Sequence, residues 1–192
     1  MAANQALNQM VQMNESIKLV VNIAFRINLM ALNAILLSRR AGDLARGFGV
    51  ISQELCSLSV ALSENMRQVS AHAFHSVAHL SVGLRRQHRM DLFVRTHQQQ
   101  TDARIDAVLQ EGADFLSRSH EAAAHEEAQL HHLLEDAEQL CLFGIALSRS
   151  AKIEAAYGAS YSSALREIAQ EFDDYIQAIL PELVQLRRNQ AR

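Results

Sequence analysis

The sequence predicts an all-α protein: an elongated antiparallel four-helix bundle made of coiled-coil hairpins. Three observations lead there. The 192 residues hold one proline, Pro181, and seven glycines, so helix breakers are rare. Ala, Leu, Gln, Glu, Arg and Ser dominate, while tryptophan is absent and aromatics are few. Apolar residues of the N-terminal stretch recur at alternating steps of three and four, the spacing of a bundle seam.

The first helix is predicted over 4–41, with Leu7, Met10, Asn14, Ile17, Val21, Ala24, Asn28, Ala31 and Ile35 along its seam. Gly42, Gly47 and Gly49 then supply the backbone freedom for a reversal. A second helix runs from about Arg46 into the 80s or beyond, carrying Val50, Leu55, Leu58, Leu62, Val69 and Phe74 inward. Residues 85–104 are polar and basic and fit either a linker or an exposed helix. A third helix is expected over 113–157, with Phe115, Leu116, Ala123, Leu130, Leu133, Leu134, Leu140 and Leu147 inside. Gly158 and its neighbouring serines suggest a second turn. A fourth helix covers 161–189, with a kink or early end at Pro181. The chain thus divides into a hairpin over 1–84, a polar connection or exposed helix over 85–112, and a second hairpin over 113–192.

Composition narrows the function. A formal charge of −3 leaves no footprint for a nucleic acid. Two cysteines, Cys56 and Cys141, make neither a disulfide framework nor a metal knuckle and suit small buried apolar positions. The polar N-terminus does not resemble a secretory leader. The apolar run from Leu19 to Leu37 is broken by Asn22, Arg26, Asn28 and Asn33, so it reads as a buried helix of a soluble, cytoplasmic protein without a membrane span. No phosphate loop, nucleophile elbow or other catalytic constellation is present, and the protein is not expected to be an enzyme.

The stretch from Ile17 to Leu58 carries a specific pattern. Ile23-Ala24-Phe25, Asn28-Leu29, Ala31-Leu32-Asn33-Ala34, Arg40-Ala41-Gly42, Arg46-Gly47-Phe48, Val50 and Glu54-Leu55 follow in order and without gaps. In that order they resemble the hairpin tip of the cytoplasmic signalling domain of bacterial chemoreceptors, the methyl-accepting chemotaxis proteins. The resemblance implies a docking surface for chemotaxis signal transduction, one that binds a CheA-type histidine kinase and a CheW-type coupling protein and supports self-association of tips. It assigns contacts to Phe25, Leu29 and Leu36, with Asn33 and Arg40 as polar partners and Val50 and Ile51 on the returning helix. By helical spacing alone, Phe25, Leu29 and Leu36 equally fit a bundle core. Leu37-Ser38-Arg39-Arg40 stands where the family has Glu-Ala-Ala-Arg, and Ala45 replaces a glycine. The surface therefore loses an acid and becomes more apolar, which admits a different partner. Acidic methylation pairs are not evident, so adaptation by methylation is not expected, and input would come from a separate sensor protein.

A fainter echo follows. Ala146-Leu147-Ser148, Lys152-Ile153-Glu154-Ala155-Ala156, Gly158 and Arg166-Glu167-Ile168-Ala169 resemble the same tip, with the last two words about one helical turn closer together. A true second tip would make one chain equivalent to a receptor dimer.

His72, His75 and His79 share one helix face, and His120, His125, His131 and His132 lie on the next helix. Histidines in a bundle can hold a metal or haem, which gives the rival reading of a metal- or haem-binding sensor. Solvated histidines explain the same pattern, and no cofactor is the first expectation. A further rival is a degenerate receptor mimic that inhibits a kinase array or binds another partner. The basic stretch of Arg85, Arg86, Arg89 and Arg95 fits a solvated face or an acidic protein surface.

Overall fold

A computed structural model describes residues 2–97 and 103–190. Among them the chain is all-α. Helix α1 spans Ala2–Ala41, and a 3-10 turn at Gly42–Ala45 leads into α2, Arg46–His97. Helix α3 spans Ala103–Ala156, and a 3-10 turn at Ala159–Tyr161 leads into α4, Ser162–Gln190. The described parts of 85–112 are helical, so the third helix begins ten residues before the expected 113. Predicted seam residue Leu7 lies outside the residues whose side chains are described.

The chain forms two compact units, one of residues 1–70 and 131–192, the other of residues 71–130. The first is a four-helix bundle in which each helix has two neighbours. α1 packs on α4. α1 meets α2 where the Cys56 thiol reaches Asn28 O at 4.0 Å. α2 meets α3 where Asn65 Nδ2 donates to Leu133 O at 3.0 Å. α3 meets α4 through Lys152 and Asp173, 2.7 Å apart. Gly144 lets α3 approach Leu58 of α2 and Ile176 of α4 together. Gly47, beside the first turn, lies against the Glu154 side chain, beside the second, so both turns sit at one end of this bundle.

The two hairpins repeat one burial pattern. In the outgoing helices Ile17, Val20, Ala24, Met30, Ala31 and Ala34 correspond to Leu134, Ala137, Cys141, Leu147, Ser148 and Ala151, all buried. In the returning helices Phe48, Leu55, Leu62, Met66 and Val69 correspond to Leu165, Phe172, Ile179, Leu183 and Leu186. One constant shift along the chain relates every pair, across both turns. The turn of shortening expected from the sequence words is therefore absent: in the burial register Glu167 stands opposite Val50, not Glu54.

Several expected positions move. The seam of α1 runs through Ile17, Val20, Ala24, Ile27, Ala31 and Ala34. Val21 is exposed, while Asn28 and Ile35 are half-buried. Both rows obey the same three-four spacing, and the one placing Ile27 rather than Asn28 inside avoids desolvating an amide. Val50 and Phe74, expected inside, are exposed. Pro181 neither ends α4 nor sits in its core: the helix continues to Gln190. It lies on the exposed side, where the carbonyl it leaves unpaired can be hydrated.

Of the three glycines assigned to the reversal, only Gly42 has a positive φ, 73°. Gly47 and Gly49 are helical close-approach positions. A Cβ on Gly49 would crowd Ser38 Oγ, which donates to Ala45 O at 2.6 Å and ties the end of α1 to the turn.

Urea unfolding monitored by circular dichroism tests this division. Leu55→Ala should cost about 3 kcal/mol, as a fully buried leucine, and Gly42→Ala about 1 kcal/mol, through backbone strain alone. Leu29→Ala should change stability by less than about 0.5 kcal/mol.

Candidate functional site

The inner face of α1 is closed by the bundle, and its outer face carries a row of apolar side chains among its polar ones. Phe25, Leu29 and Leu36 are 57%, 46% and 56% exposed, and Leu32 between them is also exposed. Their spacing places all four in one row on the side opposite Ala24, Ile27 and Ala34. Asn33 and Arg40 are exposed beside the row. Helix α1 thus uses one apolar stripe to fold and presents a second to solvent. Of the two readings of Phe25, Leu29 and Leu36, the structure places them outside the bundle core.

The turn end adds a second feature. A cleft of about 320 Å³ is lined by residues including Ile35, Arg39, Asp43, Arg46, Val50 and Gln53. Val50 is exposed and Ile51 half-buried, so of the two Val50 is the one open to solvent. Leu44, in the turn itself, is exposed and was not anticipated. Leu32 was also missed, although its spacing of three from Leu29 and four from Leu36 could have found it.

The second hairpin presents a different row. Under the shift that relates the hairpins, Phe25, Leu29, Leu32, Leu36 and Arg40 correspond to Leu142, Ala146, Arg149, Ile153 and Tyr157, all exposed. That row is interrupted by Arg149 and is the less apolar of the two.

Beneath it α3 and α4 are joined by polar contacts. Asp173, buried, accepts from Lys152 Nζ at 2.7 Å, Ser148 Oγ at 2.9 Å and Gln177 Nε2 at 3.0 Å. The Lys152 hydrogen bond is the main reason its carboxyl is held below the usual aspartate range. Cys141 is buried, which pushes its thiol up to about 12, and Cys56, half-buried, is raised for the same reason. Neither suits a reactive thiolate.

In the unit of residues 71–130, His72 Nδ1 is 2.7 Å from Glu126 Oε2. This bond is the largest cause of the lowered Glu126 pKa. Of the three histidines on this face, His72 is met by a carboxylate, while His75 and His79 edge a groove lined on the α3 side by Phe115, Arg118, Ser119 and Ala122. His131 and His132 turn to Glu135 of their own helix. Among the described residues no group of three or more His, Cys, Asp or Glu side chains is arranged to hold a metal. One apolar stretch within Met10–Arg95 is long and apolar enough to cross a membrane by length and composition.

No family model matches the chain, and no solved structure matches it either.

Asp173 makes the pH dependence of the bundle testable. A carboxyl whose pKa is lowered by folding stabilises the fold above its ordinary value of 3.8 and loses that contribution as pH falls through its lowered range. Lys152 is over a third exposed, so water screens part of the pair. Asp173→Ala should cost about 2 kcal/mol at neutral pH, and its stability should fall less steeply than that of wild type in acid denaturation curves.

Proposed function

We propose that the bundle of residues 1–70 and 131–192 is a docking module of chemoreceptor-tip type, acting in chemotaxis-like signal transduction without chemistry of its own. Its partners would be a chemotaxis histidine kinase and the coupling adaptor of that kinase, met in the cytoplasm. The outward row of Phe25, Leu29, Leu32 and Leu36 carries the reading, because a bundle helix whose inner seam is already filled gains nothing for folding from a second apolar row. Large side chains on such a row supply affinity, and polar neighbours such as Asn33 and Arg40 set register. The cleft beside Val50 extends the surface onto the returning helix. Leu37, where the resembled tips have an acid, shifts the balance towards apolar contact.

The purified chain should retain kinase or adaptor in a pull-down. Leu29→Asp should weaken capture at least about tenfold and Arg40→Ala by a smaller factor, with helicity unchanged. Absence of binding by folded wild type to either protein would sink the proposal.

A further inference from the structure

The unit of residues 71–130 is half of a bundle. It consists of the descending end of α2 and the ascending start of α3, joined by hydrogen bonds and contacts along a single seam. Met90 packs at Gly112, Gly83 lies beside Ser119, the Arg86 guanidinium sits 5.1 Å over the Phe115 ring, and His72 meets Glu126. This seam buries little. Of the described apolar side chains here, Ala73 and Leu130 are the buried ones. Phe74, Leu80, Val82, Leu84 and Phe93 are exposed. Two helices with so small a core are poor at holding themselves together.

One side of the hairpin is shaped to be covered. A groove of about 560 Å³ runs between the helices over Ala78, Val82, Phe115 and Ala122, edged by His75, His79 and Arg118. Val82 is 43% exposed on its wall. Helical spacing continues the α2 side of this groove from Phe74 through Ala78 and Val82 to Arg89 and Phe93.

The charges identify the occupant. The α2 arm carries Arg85, Arg86, Arg89 and Arg95 against Asp91. The α3 arm carries Asp106, Glu111, Asp114, Glu121, Glu126 and Glu127 against Arg104 and Arg118. A partner of one sign would match one arm and repel the other. A second copy, related by a twofold axis along the hairpin, sets each basic arm between two acidic arms. This is the closure that the two hairpins of the other unit achieve within one chain, where α2 lies next to α3 and α1 next to α4. We infer that residues 71–130 pair with the same segment of a second copy into an intermolecular four-helix bundle.

The axial level follows from the seam. Met90 at Gly112 fixes the height of Arg89, so the twofold brings Arg89 level with Glu111 of the partner subunit. Arg89 and Glu111 are both exposed, and neither has an ion-pair partner within its own chain among the described contacts. Arg85 and Arg118 instead turn back to backbone carbonyls of their own helices, Ser81 O and Asp114 O.

Sedimentation equilibrium of the full chain tests this. Wild type should be a dimer in the micromolar range, weakened by added salt. Val82→Glu, Arg89→Glu and Glu111→Arg should each weaken dimerisation by about tenfold or more. Mixing the Arg89→Glu chain with the Glu111→Arg chain should restore it, since the heterodimer alone has opposite charges at both contacts. A role within one chain could not be rescued by mixing. Leu29→Asp, on the proposed docking row, should leave the dimer intact. A monomeric wild type overturns the inference, as does a dimer indifferent to all three variants or a mixture no tighter than its components. The charge variants lie at exposed positions, so they decide the matter even if Val82→Glu fails to fold.

Discussion

Each helix of the bundle of residues 1–70 and 131–192 owns an apolar stripe that only the other three can cover. A single hairpin would leave Phe48, Leu62, Phe172 and Ile179 at least partly wet, and each wet side chain forgoes about 1.5–3 kcal/mol of burial. Closure of two hairpins around one seam removes that loss for all four helices together. The rest of the unit answers to this constraint. Gly144 is small because two neighbouring helices converge on it. The turns face each other because both hairpins have the same length and register. The polar contacts of Asp173 with Ser148 and Lys152 are confined to one interface, α3 with α4, where they add direction to an otherwise non-directional core.

Closure also separates folding from display. Once the seam is filled, the outer faces are free to differ, and they do. The row of Phe25, Leu29, Leu32 and Leu36 is continuously apolar, whereas its counterpart of Leu142, Ala146, Arg149 and Ile153 is broken by a charge. Two identical hairpins in a homodimer would have to present identical rows. A single chain that carries both hairpins has no such restriction, so it can keep one face for a partner and let the other become soluble. The repeated burial pattern with unrepeated surfaces is what that freedom would leave behind.

The fold was legible where local chemistry decides it. Scarcity of breakers gave the long helices, Gly42 marked the first reversal and Gly158 the second. The choice between two rows was not legible. Val20 and Val21, Ile27 and Asn28, Ala34 and Ile35 are neighbours in sequence that face 100° apart, and both rows keep the three-four rhythm. Which row becomes the core depends on the helices that arrive from the far half of the chain. Gly47 and Gly49 were read as turn residues for the same reason: a helical glycine that admits Glu154 or Ser38 resembles a flexible one until its neighbour is known. Of the site, Phe25, Leu29 and Leu36 are assigned from sequence, whereas Leu32 is not, and spacing alone does not say that the row faces out. The histidines show the limit most plainly. A face of His72, His75 and His79 can be read from one helix, while the carboxylate of Glu126 against His72 depends on a register set elsewhere.

The same closure rule, applied to residues 71–130, separates two kinds of exposed apolar residue. In the four-helix unit, an outward leucine such as Leu29 sits on a helix whose seam is complete, and its exposure costs the fold nothing. In the two-helix unit, outward Phe74 and Val82 sit beside a seam that holds almost no buried apolar side chains, so their exposure is a deficit in the core itself. The first kind suits a partner that comes and goes. The second suits one that completes the structure, and arms of opposite charge are matched on both sides by a second copy of themselves.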